Sequence, residues 1–141
     1  MEAEHRETRQ LEARLRTAFE DTPLEDGINH PAELIIDEVL RSVDRQHVLE
    51  WLRTLSVDAG RSNLAASVLR CLGRRRPGTP AWRAGIVQAA LAAGDVEMRD
   101  AAVQAAESWG GHKVRDILRN HVEETSWLRM YIEDVVEDLG K

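Results

Sequence analysis

The sequence predicts an all-α fold, and three observations predict it. Apolar residues recur at intervals of three and four along every long segment, and no segment alternates with the two-residue period of a half-buried strand. Pro, Gly, Asp and Thr punctuate the chain where helices would start and stop. The segment Gly94 to Gly110 also returns in modified form at Thr125 to Gly140, the mark of stacked helical units.

The elements follow in order. A charged first helix runs from about Ala3 to Asp21, with Leu11, Leu15, Ala18 and Phe19 as a narrow apolar stripe, and Pro23 and Gly27 end it in a loop over Thr22 to Asn29. The second helix opens at His30-Pro31-Ala32-Glu33, because proline at the first helical position lacks only an N–H that would be orphaned there. Its inward set is Leu34, Ile35, Val39, Leu40 and Val43. Asp44 caps a third helix carrying Val48, Leu49, Leu52 and Leu55, with Trp51 beside that stripe, until Gly60. Ser62 or Asn63 caps a fourth, with Leu64, Ala65, Val68, Leu69 and Leu72 inward and Gly73 as its C-terminal glycine.

Arg74-Arg75-Arg76-Pro77-Gly78 is a linker whose arginines complement the negative end of the helix dipole. Thr79 then caps a fifth helix with Pro80 at its first position and Trp82, Ile86, Ala89, Ala90 and Ala93 inward, stopped by Gly94. Asp95 caps the sixth, whose buried face is Ala102, Val103, Ala106 and Trp109 before Gly110-Gly111 breaks the chain. A short seventh helix from about His112 to Val122 presents Val114, Ile117, Leu118 and either His121 or Val122. Thr125 or Ser126 caps the last, with Leu128, Tyr131, Ile132, Val135 and Leu139 inward.

Such short connections force neighbouring helices to double back as antiparallel hairpins. A shift of thirty superposes Arg99 on Arg129, Ala102 on Ile132, Ala106 on Val136, Trp109 on Leu139 and Gly110 on Gly140, and a shift of thirty-seven in the other direction places Ala65, Leu69, Leu72 and Gly73 under Ala102, Ala106, Trp109 and Gly110. On these residues the chain resembles HEAT-repeat proteins. The family's second helix opens on an Asp-containing turn followed by an Arg, an Ala-rich face and a terminal Gly, matched here by Asp95, Arg99, Ala101, Ala102, Ala105, Ala106 and Gly110. Thr125 stands in place of the Asp in the last unit. The resemblance covers about residues 44–140. It implies one domain over 1–141, a short α-solenoid of stacked hairpins with capping helices over 1–43 and repeats over 44–78, 79–110 and 111–141. It also implies that the Asp and Arg knit neighbouring repeats, while fold alone assigns no function.

With 141 residues, the chain suits a single core, and its single cysteine, Cys71, excludes an internal disulfide. No apolar run suits a signal peptide or a membrane span, so a cytoplasmic location is expected, with no membrane partner. The net charge of −6 is unevenly spread: residues 1–58 carry 14 acids and 7 bases, residues 59–94 carry 6 bases and no acid, and residues 95–141 carry 11 acids and 6 bases. The basic middle either compensates the acidic ends or forms a patch.

Catalysis is not expected. Carboxylates adjoin at Asp37/Glu38, Glu123/Glu124, Glu133/Asp134 and Glu137/Asp138, but on charged helix surfaces, and no phosphate loop or nucleophile signature accompanies them. His5, His30, His47, His112 and His121 form no metal-binding spacing, and no cofactor is implied. Core packing is expected of Trp51, Trp109 and Trp127, leaving Trp82 as a candidate contact. The leading expectation is a non-catalytic scaffold or adaptor that grips a protein partner through Glu133, Asp134, Glu137 and Asp138 with Trp82, an immunity or antitoxin-type inhibitor being one special case. The alternative is nucleic-acid binding through the basic segment 61–83, with Arg70, Arg74, Arg75, Arg76 and Arg83 as the patch.

Overall fold

The computed structural model describes residues 2–25, 27–41 and 45–141, the side chains of 2–5, 7 and 45 excepted. Every regular element among them is helical: α1 (Glu2–Asp21), α2 (Pro31–Leu40), α3 (Arg45–Ser56), a 3-10 turn (Ala59–Arg61), α4 (Ser62–Gly73), α5 (Pro80–Ala93), α6 (Val96–Trp109), α7 (His112–Asn120) and α8 (Ser126–Leu139). The all-α expectation holds. The chain divides into two compact units, Met1–Leu52 and Arg53–Lys141, with α3 running across the division.

In the first unit α1 packs on α2. His30 organises the turn between them. Its Nδ1 accepts the Ala32 N–H at 3.0 Å, so the proton sits on Nε2, which donates to the Thr22 carbonyl at 2.8 Å, while Glu33 accepts the His30 N–H at 2.6 Å. This reciprocal capping box, with Pro31 at the first position, starts α2 where the sequence indicates. The His30 ring stacks on Phe19 with centroids 5.1 Å apart. The inward face of α2 differs from expectation: Ala32, Ile36 and Val39 are buried, whereas Leu34 is 72% exposed. Glu33 turns into the cap and is itself buried, which rotates the buried stripe away from Leu34. The expected cap Asp44 and the inward Val43 lie outside the described residues.

In the second unit helices pack with both their neighbours and their next-but-one neighbours: α5 with α6, α7 with α8, α4 with α6, α5 with α7, and α6 with α8. Thr79 caps α5 through the Trp82 N–H at 3.1 Å, and Asp95 caps α6 through the Met98 N–H at 3.0 Å, both as the sequence indicates. That Met98 N–H is the main reason the Asp95 carboxyl lies below its ordinary pKa. Neither Ser62 nor Asn63 caps α4. Asp58 instead accepts the Gly60 N–H at 3.0 Å and pairs with Arg61 at 2.9 Å, setting the 3-10 turn that leads into the helix. The buried face of α5 is Arg83, Ala84, Ile86, Val87, Ala90 and Leu91, so Ile86 and Ala90 face inward as expected while Trp82 and Ala89 are half-buried and Ala93 is exposed.

The α4–α6 contact is the most extensive in the unit, and at Gly73 the two backbones come close. The sequence suggests a C-terminal glycine, yet Gly73 is still helical, and a methyl group on it would stand 3.0 Å from the Ala105 Cα and 3.2 Å from its Cβ. Ala101, Ala102, Ala105 and Ala106 are all buried on α6. Small residues on both helices therefore let the backbones approach. Gly73→Ala gains up to ~1 kcal/mol of helix propensity, but overpacking costs ~1–3 kcal/mol. The expected result is a net loss of about 1 kcal/mol in urea unfolding, and a gain in stability would show that α4 and α6 can separate freely.

Candidate functional site

The α7–α8 connection holds the most strongly connected polar side chain in the second unit. Glu123 is only 2% exposed at its side chain and sits two residues before the first residue that flanks α8. Its Oε1 accepts from Arg99 Nε at 2.9 Å and from His121 Nε2 at 3.0 Å, and its Oε2 accepts from Arg99 Nη2 at 3.1 Å and from the Thr125 N–H at 3.0 Å. Arg99 also donates from Nη1 to the Gly94 carbonyl at 3.0 Å. The pair is bidentate, so it fixes orientation as well as distance. Burial by itself raises the Glu123 pKa, but hydrogen bonds from Arg99, His121 and the Thr125 N–H, with the Arg99 charge, outweigh it and hold the carboxyl down to about 2. Arg99 moves up in return, chiefly through its hydrogen bond to Glu123. Thr125 occupies the flanking position of α8 without a side-chain cap of its own, and its N–H donates to Glu123.

Beside this cluster α7 and α8 enclose a groove of about 490 Å³. Arg115, Arg119 and Arg129 supply cations along it, Glu133 and Glu137 supply carboxylates, and Leu118, Ile132 and Val136 form its floor. Arg115 donates to the Val136 carbonyl at 3.3 Å, and Arg129 donates to the Glu123 carbonyl at 3.4 Å. None of Arg119, Arg129, Glu133 and Glu137 forms an ion pair with a described residue. Arg99 and Arg129, equivalent under the thirty-residue shift, thus both reach back to a carbonyl just before their own helix, but only Arg99 holds a carboxylate from the following hairpin.

The residues singled out from sequence fall in different places. Glu133, Asp134, Glu137 and Asp138 are all exposed on α8. Helical spacing puts Glu133 and Glu137 on the groove flank with Arg129, and Asp134 and Asp138 on the other flank with Trp127 and Tyr131. Trp127 corrects the expectation of core packing: it is 54% exposed, because the inward stripe of α8 is Leu128, Ile132 and Val135. Trp109 is buried as expected, and Trp51 is half-buried. Trp82 is half-buried and packs beside Gly78: a methyl on Gly78 would lie 3.0 Å from its ring.

The basic segment does not form one patch. Arg70 pairs with Glu97 at 3.1 Å and Asp100 at 3.3 Å, and Arg83 is buried, donating to the Pro77 and Gly78 carbonyls. Arg74 and Arg75 are half-buried, leaving Arg76 as the exposed member of that set. Glu123 corrects the expectation of a carboxylate on a charged helix surface, since it is buried in the connection between α7 and α8, and the sequence does not mark Arg115, Arg119 and Arg129 as neighbours along one groove. The available signal was an acid just before a helix start, following a unit whose Arg99 needs a counter-charge.

Among the described residues no group of three or more His, Cys, Asp or Glu could hold a metal ion, and no helix is long and apolar enough to cross a membrane. The chain matches no protein-family model, no curated protein and no solved structure.

Proposed function

We propose that the chain is a non-catalytic protein-interaction module, a short HEAT-like stack whose last hairpin receives a segment of another protein in the α7/α8 groove. The observation that carries this reading is the contrast between Arg99 and Arg129. The first is locked by the carboxylate that the next hairpin brings to it; the second stands in the equivalent place with a backbone carbonyl alone. A partner segment with a carboxylate for Arg129 and a basic residue for Glu133 and Glu137, set around an apolar side chain that meets exposed Val122, completes the groove. The packing of α4 on α6, of α6 on α8 and of α5 on α7 supports the solenoid reading. The cytoplasm suits a chain whose single cysteine, Cys71, is buried and forms no disulfide. Nucleic acid is the weaker partner class, since Arg70 is neutralised and Arg83 is buried.

The test is capture from native extract after nuclease treatment, comparing the unmodified chain with Arg129→Glu and with Glu133→Gln/Glu137→Gln. A protein retained after nuclease by the first and lost from Arg129→Glu, with helicity unchanged, is expected. Equal capture by Arg129→Glu removes the groove from the interface, and capture that nuclease abolishes favours nucleic acid. Light scattering of the isolated chain identifies the case in which the occupant is a second copy.

A further inference from the structure

The open charges of the α7/α8 groove specify what fits it. Arg115 is already engaged with the Val136 carbonyl near the end of α8. That leaves Arg119 and Arg129 as cations and Glu133 and Glu137 as carboxylates, all four exposed and none in an ion pair with a described residue. Two cations against two carboxylates balance, on a chain whose net charge is −6. A face complementary to a basic or an acidic partner carries an excess of one sign. Equal numbers of both suit a second copy, because an isologous contact must supply each charge with its opposite from the same surface.

Spacing along α8 shows how the two copies would meet. Arg129, Glu133 and Glu137 follow one another at four-residue intervals and Met130 lies three before Glu133, so all four share the outer side of the helix. Met130 is 64% exposed there, an apolar side chain with no cover. When two copies of α8 pack antiparallel about a two-fold axis level with Ile132, Arg129 of each falls between Glu133 and Glu137 of the other, since a side chain enters the gap between positions four apart on the facing helix. The same register sets Met130 between Ile132 and Val136 of the second copy, which belong to the groove floor. Asp134 and Asp138 stay on the far flank with Trp127, outside the seam.

We propose that the occupant of the groove is α8 of a second copy of this chain, in an antiparallel two-fold pair held by Arg129 between Glu133 and Glu137 and by Met130 on the apolar floor. The proposal rests on the groove being an interface and names the partner it takes. The contact is small and its ion pairs stay near water, so the association is weak and reversible, with a dissociation constant between ~10 μM and ~1 mM.

Sedimentation equilibrium of the full chain over a concentration series reaching ~1 mM tests this. The salt is held at about 0.15 M, where screening beyond about 8 Å subdues the repulsion between two net-negative chains but spares contact pairs. A concentration-dependent dimer is expected. Arg129→Glu and the double change Glu133→Arg/Glu137→Arg each set like charges against one another at both symmetric positions, and each should weaken association by about tenfold or more with helicity unchanged. An equimolar mixture of the two variants opposes every charge with its opposite across the axis and should restore association as a mixed pair. A chain that stays monomeric throughout, a dimer indifferent to both variants, or a mixture no tighter than its components would each overturn the proposal. A monomeric chain that still captures a protein lost from Arg129→Glu keeps the groove as an interface for that protein, whereas loss of both self-association and capture removes the groove reading as well.

Discussion

Trp109→Ala is expected to lower the stability of the second unit by about 3–5 kcal/mol, the usual result of truncating a buried aromatic. The ring is 4% exposed at the end of α6, and its Nε1 donates to the Arg75 carbonyl at 2.6 Å, joining that end of α6 to the linker that follows α4. Truncation removes ring packing and also strands that carbonyl, so the two losses add in one direction. Trp109→Phe separates them, since it keeps an aromatic ring and loses the N–H; its expected loss is ~1–3 kcal/mol. Urea unfolding followed by circular dichroism gives both values. A loss under ~1 kcal/mol for the alanine variant would mean the ring contributes no more than an ordinary surface residue.

What could be read from the sequence divides along physical lines. Helix starts were legible where one residue makes the decision locally: Thr79, Asp95 and Pro31 each satisfy or remove an N–H within a turn of themselves. The Ala-rich face of α6 was legible because spacing and size agree. Leu34 and Trp127 were not, since each is apolar next to an inward stripe, and which side turns in is set by the helix it packs on. Arg83 looked like surface because arginine mostly is, and its burial depends on the Pro77–Gly78 carbonyls arriving from the linker. Glu123 and the α7/α8 groove depend on pairing across 24 residues, from Arg99 to Glu123, which spacing within a helix does not encode. The carboxylates Glu133, Asp134, Glu137 and Asp138 are exposed, as their place on a charged helix surface predicts, but only Glu133 and Glu137 line the groove.

The Arg99–Glu123 pair gives the second large effect, and pH gives its signature. The Glu123 carboxyl titrates at about 2 in the folded chain against an ordinary 4.5, so the folded state prefers the ionised form. A depressed carboxylate contributes stability that is fully present above its unfolded pKa and is lost as pH falls through the folded one. The window therefore lies between pH 4.5 and about 2, and the contribution at neutral pH is on the order of 3 kcal/mol. Glu123→Gln removes the charge while keeping size and some hydrogen bonding. It should cost ~3 kcal/mol at pH 7 and under ~1 kcal/mol near pH 2, where about half of the native carboxyl is protonated and its pKa-linked stabilisation is nearly lost. Arg99→Met should cost ~3–5 kcal/mol at pH 7, because it leaves a buried carboxylate without its cation. The double variant should be less destabilised than the two single losses together, since the second change removes a charge the first has already stranded. Strict additivity, or a Glu123→Gln loss that stays constant from pH 7 to pH 2, would show that the pair does not couple the hairpins energetically. In that event the contrast between the paired Arg99 and the open Arg129 would no longer mark the groove as a place where a partner's carboxylate belongs.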